Sequence, residues 1–284
     1  MVRLGGLTAG YADSSIDGLL DLSGRVALVT GAGQGFGFAA ARRLAEAGAA
    51  VLLTDRRGDR VEAAAARLDS YGARIGWAAG DVSVPDEVDA IVAAAAERFG
   101  RLDVLVNNAA AYSNVRIEEM PLHRFANVLD VNVNGAFWCA RQAARQMLSQ
   151  RDSAQGSGGV IVNVTSIDAL HPTSAGMSHY TASKHALWGL TKCLALEFGP
   201  YGIRTNAVAP GPSLTEGAIE YIHSGAPEGI DVEQQWAEAS KRVPLQRWAD
   251  PDEIGRAVVF LASDLSAYMN GAQVVVDGGY LLGS

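Results

Sequence analysis

The chain has 284 residues, of which 49% are hydrophobic and 19% charged, so it has enough apolar material for a core and wholesale disorder is excluded. A formal net charge of −8 argues against nucleic acid as a partner, because no positive field gathers phosphates. Two cysteines, Cys139 and Cys193, cannot build a disulfide scaffold, which favours a reducing, cytoplasmic setting.

The N-terminal stretch does not have the character of a targeting segment. Its apolar positions are interrupted by glycines and aspartates, so it lacks the apolar centre of a signal peptide. We treat residues 1–22 as an N-terminal extension and residues 23–284 as a single domain, because α/β folds of this size are commonly one unit. Apolar runs elsewhere fall far below the ~20 residues that span a bilayer, so we expect no membrane partner.

From Arg25 onward, short β-branched runs alternate with longer Ala-rich stretches of helical period. This pattern is typical of βαβ units stacked on a parallel sheet. Seven strands are predicted, near residues 26–30, 50–54, 74–78, 104–106, 160–164, 204–208 and 273–276. Burial on both faces explains why the strands barely alternate between apolar and polar residues.

The segments between the strands separate into helices, a loop and an insertion. Ala-rich stretches at 38–47, 61–71 and 88–99 predict crossover helices, and the Ser- and Gly-rich stretch 150–159 predicts a surface loop. Residues 212–244 carry many acidic residues and follow the sixth strand, where open α/β sheets bind ligands. They predict a helical insertion that acts as a substrate lid; the alternative is a solvated peripheral hairpin.

A glycine-rich turn follows the first strand directly and leads into a helix. It reads Thr30-Gly31-Ala32-Gly33-Gln34-Gly35-Phe36-Gly37. Such turns bring backbone N–H groups close to a pyrophosphate, whose charge is favoured at the helix N-terminus. Asp55 ends the second strand, close to the ~20-residue spacing of an acid that bonds the adenosine ribose. A carboxylate there repels a 2′-phosphate and favours NAD over NADP, although Arg56 and Arg57 could partly offset the repulsion.

Tyr180 and Lys184 lie one turn apart in a predicted helix, so they share a helix face. A tyrosine that exchanges protons near neutral pH needs its pKa lowered by about 3 units, which a nearby ammonium could supply. Ser166 ends the fifth strand, and strand carboxyl ends are where doubly wound sheets place ligands.

With these motifs the sequence resembles the short-chain dehydrogenase/reductase family, in its shorter single-domain branch, from Leu22 to Tyr280. The resemblance rests on the glycine turn and on seven further motifs in the family's order. These are Gly80-Asp81-Val82, Asn107-Asn108-Ala109-Ala110, Asn132-Val133-Asn134-Gly135, Ser166, Tyr180 to Lys184, Pro210-Gly211 with Thr215, and Val276-Asp277-Gly278-Gly279. It implies a Rossmann-type, doubly wound, seven-stranded parallel sheet flanked by helices.

The resemblance also implies a catalytic tetrad of Asn132, Ser166, Tyr180 and Lys184. Tyr180 would exchange a proton with the substrate oxygen, Ser166 would hydrogen-bond that oxygen, and Lys184 would bind the nicotinamide ribose. Asn132 would hold a water that connects Lys184 to solvent. The implied cofactor-binding residues are Gly31, Gly33, Gln34, Gly35, Phe36, Gly37, Asp55, Arg56, Asp81, Val82, Asn108, Ala109, Ala110, Tyr180, Lys184, Pro210, Gly211, Ser213 and Thr215.

The sequence departs from the family pattern at three places. Phe36 stands where the family usually has Ile, and Ala110 where it usually has Gly. Ser166 lies one residue further from Tyr180 than is usual, which predicts an extra residue in the intervening loop. Thr165 is an alternative to Ser166.

Together these features predict an NAD-dependent enzyme that transfers hydride between the cofactor and a secondary alcohol or ketone, cyclic or aromatic. Tyr112, Asp168, His171 and Pro212 are the candidate substrate contacts, and the five histidines show no metal-ligand spacing. A 3-oxoacyl-(carrier protein)-type reductase is the alternative enzyme, and a non-catalytic nucleotide-binding regulator is the alternative of another class. The family resemblance implies a homotetramer.

Overall fold

A seven-stranded parallel sheet forms the centre of the fold in a computed structural model that describes residues 14–71, 74–150, 158–225 and 237–283. The strands are β1 (Val26–Thr30), β2 (Ala50–Asp55), β3 (Ile75–Ala79), β4 (Val104–Asn107), β5 (Gly159–Val164), β6 (Ile203–Pro210) and β7 (Gln273–Val276). Their spatial order is β3-β2-β1-β4-β5-β6-β7, with every neighbouring pair parallel. The predicted doubly wound sheet is confirmed.

Helices connect the strands and cover both faces of the sheet. They are α1 (Ile16–Leu20), α2 (Gly35–Glu46), α3 (Gly58–Leu68), α4 (Pro85–Phe99), α5 (Leu122–Leu129), α6 (Ala136–Ser149), α7 (Ser178–Phe198), α8 (Glu216–Gly225) and α9 (Pro251–Ala262). A π-helical turn, Asp130–Gly135, joins α5 to α6. Two of them begin at their sequence signals: Pro85 opens α4, and Pro251 opens α9, where Asp250 forms a capping box.

Two apolar cores lie on opposite faces of the sheet. Val29 of β1 belongs to one core and its neighbour Leu28 to the other, because successive side chains of a strand point to opposite faces. Both side chains are fully buried, which is why this strand reads as a continuous apolar run. The first core packs on α2, α3 and α9, and the second on α4, α6 and α7.

A buried carboxylate ties α2 to α9. Asp252 accepts hydrogen bonds from Arg42 at 2.8 Å and from Arg43 at 2.6 Å, and it pairs with Arg256 one turn along α9. Hydrogen bonds from Arg43 lower the pKa of Asp252 to about 2. The two helices approach so closely that a Cβ on Gly255 would lie 2.7 Å from the Ala39 carbonyl oxygen. This contact fixes the helix that carries the glycine turn.

Parts of three predicted segments lie outside the described residues. Of the N-terminal extension, residues 14–22 are described; they include α1, and Leu22 is 1% exposed within the core, so the packed unit begins before residue 23. In the predicted loop 150–159, residues 151–157 lie outside, and Gly159 already belongs to β5. In the insertion 212–244, residues 226–236 lie outside, between α8 and a helical turn at 237–240.

The described residues contain no helix long and apolar enough to cross a membrane. Both cysteines are free: Cys139 is buried within α6 and Cys193 is exposed on α7. In the same part of the chain, no group of histidine, cysteine and carboxylate side chains could hold a metal ion.

Candidate active site

A groove of about 550 Å³ runs along the carboxyl ends of β1 to β6. Parallel strands end at the same edge of the sheet, so the residues that follow them gather there. The predicted residues that line the groove are Gly31, Gln34, Gly35, Phe36, Asp55, Arg56, Asp81, Val82, Asn108, Ala109, Ala110, Tyr112, Ser166, Tyr180, Lys184, Pro210, Gly211 and Thr215. Seven others do not line it: Gly33, Gly37, Asn132, Asp168, His171, Pro212 and Ser213.

The glycine turn forms one wall of the groove. Gly31 has a φ of +62°, and a Cβ there would lie 2.8 Å from the Cα of Ala109, so both its conformation and its packing require glycine. Asn108 holds the turn in place, because its side-chain nitrogen donates to the carbonyl oxygens of Thr30 and Gly31 at 2.9 and 3.0 Å. The helix α2 begins at Gly35, with its N-terminus facing the groove.

The Asp55 carboxylate lies at one end of the groove and is held by backbone N–H groups. Gly33 donates to one oxygen at 3.3 Å, and Arg57 donates to the other at 3.0 Å. Arg56, Arg57 and Arg60 line the same end. A glycine turn, a helix N-terminus and a carboxylate that could accept hydrogen bonds from a ribose lie in one groove, and this set fits a nicotinamide dinucleotide with its adenosine at this end.

Tyr180, Lys184 and Ser166 meet at the other end of the groove. Lys184 is 2% exposed; its Nζ donates to the carbonyl oxygen of Val164 at 2.8 Å and lies 5.4 Å from the centre of the Tyr180 ring. Ser166 lies two residues after the end of β5 and lines the groove together with Tyr180. A phenol, an ammonium and a hydroxyl therefore surround one point, where a substrate oxygen could exchange a proton.

Burial dominates the electrostatics of this end. It lowers the pKa of Lys184 to about 8, although the negative charge of Asp168 opposes the change. It also raises the pKa of Tyr180; Asp168 and Tyr112 add to this rise, and the hydrogen bond from Ser166 opposes it. We expected Lys184 to lower the pKa of Tyr180, but here desolvation of the phenolate outweighs any such effect.

Asn132 lies in the π-helical turn between α5 and α6 and is buried. Its side-chain nitrogen donates to the Ala111 carbonyl at 3.0 Å and to the Ser183 hydroxyl at 2.9 Å, and its oxygen accepts from the Ala111 N–H at 2.7 Å. These bonds hold the segment after β4 against α7. The water contact with Lys184 stays a prediction.

Of the four candidate substrate contacts, only Tyr112 lines the groove. Its ring lies edge-on to Tyr180 at a centroid distance of 6.1 Å. Asp168 is 5% exposed, does not line the groove, and its carboxylate is occupied by protein hydrogen bonds. His171 is exposed and lies away from the groove. The carbonyl of Pro212 bonds the Ala249 N–H, and Ser213 pairs with Ala249 in a β-bridge, so this stretch anchors the insertion.

Several groove residues were not predicted. Arg60 comes from α3, Asn127 from α5 and Val131 from the π-helical turn. Gly217 comes from α8, where the adjacent Glu216 carboxylate accepts a hydrogen bond from the Gly35 N–H at 2.9 Å. None of these residues ends a strand, so position in the sequence alone gives no signal for them.

Comparison with known proteins identifies the group to which the chain belongs. A family model described as enoyl-(acyl carrier protein) reductase matches residues 31–281. An L-rhamnose 1-dehydrogenase (NAD(P)(+)) of Azotobacter vinelandii is 39% identical over 90% of this chain and 96% of that protein. A short chain dehydrogenase/reductase of Aspergillus oryzae is 37% identical over 92% of this chain and 96% of that protein.

Among solved structures, the L-sorbose reductase of Gluconobacter frateurii complexed with NADPH and L-sorbose superimposes with a TM-score of 0.86 at 33% identity. The superposition covers 93% of this chain and 98% of the reductase chain. The residues that the family model matches, 31–281, include Asp55, Ser166 and Tyr180. The chain is therefore an oxidoreductase that belongs to the short-chain dehydrogenase/reductase family.

Proposed function

We propose that this protein transfers hydride between NAD and a secondary alcohol or ketone, with Tyr180 as the acid and base. The observation that carries the proposal is the meeting of Tyr180, Ser166 and a buried Lys184 at the end of a dinucleotide-sized groove. A buried ammonium lowers the stability of a fold, and strongly perturbed groups of this kind cluster at functional sites, so its presence beside the phenol favours catalysis. The bound cofactor would supply or accept the hydride.

The protein residues would divide the remaining work. In reduction, the Tyr180 hydroxyl gives its proton to the substrate oxygen as the carbonyl becomes an alcohol, and in oxidation the phenolate takes it back. The Ser166 hydroxyl donates a hydrogen bond to the same oxygen and stabilises its developing charge. The raised pKa of Tyr180 keeps the phenol protonated in the empty site, which suits the reductive direction.

Asp55 supports the preference for NAD. Its carboxylate stands at the end of the groove where a 2′-phosphate would have to fit, and like charges repel. Arg56, Arg57 and Arg60 at the same end could lessen this repulsion. The L-rhamnose dehydrogenase is named for NAD(P)(+) and the L-sorbose reductase was solved with NADPH, so a direct comparison of NAD with NADP is part of the test.

The substrate would lie against Tyr112, whose ring forms an aromatic wall next to Tyr180. This wall supports a cyclic or aromatic substrate, which a flat apolar surface favours. The relatives named for L-rhamnose and L-sorbose add carbohydrates to the compounds that should be tried. The acidic chain and its free cysteines support a small-molecule enzyme of the cytoplasm.

The test measures nicotinamide absorbance with a panel of cyclic, aromatic, aliphatic and sugar secondary alcohols and ketones, with NAD and NADP in parallel. We expect turnover with NAD, and we expect Tyr180→Phe to lower kcat by about 10²- to 10⁴-fold while NADH binding, followed by fluorescence, is retained. Tyr71→Phe is the matched control, because Tyr71 is an exposed tyrosine that does not line the groove. Full activity in Tyr180→Phe would contradict the proposed mechanism.

The matched family model, described as enoyl-(acyl carrier protein) reductase, makes acyl-thioester reduction the second candidate. An acidic carrier would be recognised by a basic surface, whereas α8, next to the groove, carries Glu216 and Glu220. Turnover confined to acyl thioesters would favour this candidate. NADH binding without turnover of any compound would favour a nucleotide-binding regulator.

A further inference from the structure

A buried carboxylate, Asp168, lies directly behind the catalytic residues. It belongs to the short 3-10 turn Ile167–Ala169 that follows Ser166, and it is 5% exposed. One oxygen accepts hydrogen bonds from the Thr173 N–H at 3.2 Å and from the Thr181 hydroxyl at 3.1 Å. The other lies 3.1 Å from the Thr173 hydroxyl and 3.3 Å from the Ser166 hydroxyl. Its position is therefore fixed by four groups.

The hydrogen bonds of Asp168 reach Ser166 directly and reach Thr181, the residue that follows Tyr180. The Ser166 Oγ accepts the Asp168 N–H at 3.1 Å and lies 3.3 Å from one carboxylate oxygen, so it is held from two directions. Its single hydroxyl proton can turn from the carboxylate to a substrate oxygen while the N–H bond keeps the Oγ in place. Thr181, which bonds the carboxylate, directly follows Tyr180 at the start of α7. A charge here costs several kcal/mol of desolvation, which an apolar side chain would avoid. A purely structural turn would not need it.

Other charged and titratable groups also face Tyr180. Lys184 and His179 belong to its own helix, Tyr112 comes from the segment after β4, and Asp168 comes from the turn after β5. The ring of His179 points to the Ser113 hydroxyl at 2.8 Å, and burial together with Arg124 of α5 lowers its pKa. Among these groups, Asp168 supplies the negative charge. It acts on Tyr180 and on Lys184 together.

We infer that Asp168 is a positioning residue of the proposed reaction: it holds the Ser166 Oγ in place, and its negative charge favours the protonated form of Tyr180. This inference rests on the proposed function and gives Asp168 a role other than substrate contact. The negative charge opposes formation of a phenolate and favours the ammonium of Lys184. It thus stabilises the protonated form of both groups, which is the form that donates a proton to a carbonyl substrate.

The experiment compares the pH profiles of kcat/KM for wild type and Asp168→Asn, which keeps the shape and removes the charge. We expect the acid limb of alcohol oxidation and the alkaline limb of ketone reduction to move to lower pH together, by about one unit. The two limbs move the same way because loss of a negative charge lowers the pKa of a phenol and of an ammonium alike. A merely structural role would lower activity and leave the limbs where they are.

Thr181→Val provides the matched control and the second variant. It removes one donor from the carboxylate and keeps the charge, so its profile should stay in place or move to higher pH. Circular dichroism establishes that each variant folds. Unshifted limbs in Asp168→Asn, or an acid shift in Thr181→Val, would overturn the inference. Lack of Tyr180-dependent turnover in wild type would instead contradict the proposed function, so the two failures are distinct.

Discussion

Lys184 places an ammonium in a site that is 2% exposed, with the Val164 carbonyl as its hydrogen-bond acceptor. Burial lowers its pKa from 10.5 to about 8. Between these two pH values the unfolded chain binds more protons than the folded one, so the free energy of unfolding rises with pH across this window. At pH 7 the protonated side chain therefore destabilises the fold. This loss of stability accompanies the catalytic role that we propose for the site.

From this we predict that Lys184→Met is inactive but more stable than wild type at pH 7, by about 1 kcal/mol. Removal of the buried charge raises the free energy of unfolding by about 3 kcal/mol, and the Val164 carbonyl that is left without its donor lowers it by about 2 kcal/mol. Urea unfolding at pH 7 and at pH 10 measures the free energy of unfolding of both proteins, and with it the rise in stability between the two pH values. The rise in stability between these pH values should disappear in the variant.

Lys192→Met is the control for this prediction, because Lys192 lies on the same helix, is exposed and contacts Trp188. Its pH dependence should match that of wild type. A Lys184→Met variant that is less stable at pH 7 and keeps the wild-type rise would show that the buried ammonium stabilises the fold.

At the scale of elements, α8 lies over the cofactor groove. The Glu216 carboxylate accepts the Gly35 N–H at the N-terminus of α2, Glu220 pairs with Arg60 at 3.5 Å, and the Tyr112 hydroxyl donates to the Gly217 carbonyl at 3.3 Å. A pyrophosphate binds through the same helix N-terminus. We therefore expect Glu216 to compete with a bound nucleotide for the Gly35 N–H, and the insertion to shift on binding.

We accordingly predict that Glu216→Gln binds NAD more tightly. A neutral amide interacts with a helix N-terminus less favourably than a carboxylate by about 0.3–1 kcal/mol, which corresponds to a roughly two- to fivefold lower Kd. Calorimetric titration with NAD at fixed salt concentration measures this change. Glu238→Gln, an exposed glutamate in the same insertion that pairs with Lys241, should leave the Kd unchanged. Weaker binding by Glu216→Gln would show that the carboxylate assists the cofactor.

Across the whole molecule, the sheet could be predicted from the sequence because short β-branched apolar runs mark the strands, and turn residues and helical segments separate them. Predicted and observed bounds agree fully for β1 and β7, while β6 continues to Pro210, since a run buried on both faces has no polar end. The helix α2 starts at Gly35, three residues before the prediction, because its first turn consists largely of the glycine motif. Sequence reasoning takes such glycines for loop.

The site could be predicted wherever its residues end a strand or belong to a motif. Tyr180, Lys184, Ser166 and Asp55 line one groove for this reason. The direction of a side chain in a loop has no such signal: Asp168 was predicted as a substrate contact from its loop position alone, and the structure buries its side chain outside the groove lining. Contacts between distant segments, such as Glu216 with Gly35, depend on the packing of α8, which the local sequence does not encode.

Exposed apolar side chains in two regions support the tetramer that the family resemblance implies. One region comprises neighbouring helices: Leu122 and Phe125 on α5, Phe137 on α6 and Leu196, which is 80% exposed, on α7. The other lies near β7 and includes Val275, Leu245 and Leu282, which is 90% exposed. Two separate self-complementary surfaces on one chain generate a closed tetramer with twofold axes.

We therefore predict a tetramer in light scattering at micromolar concentration, and dimers when either surface receives a charge. Leu196→Glu should break the first interface and Leu282→Glu the second, because an unpaired carboxylate buried in an interface costs several kcal/mol. The double variant should be a monomer. Glu97→Gln, on the exposed face of α4, is the control and should remain tetrameric. A wild-type monomer would show that these surfaces remain solvated, and tetramers in both single variants would place the interfaces elsewhere.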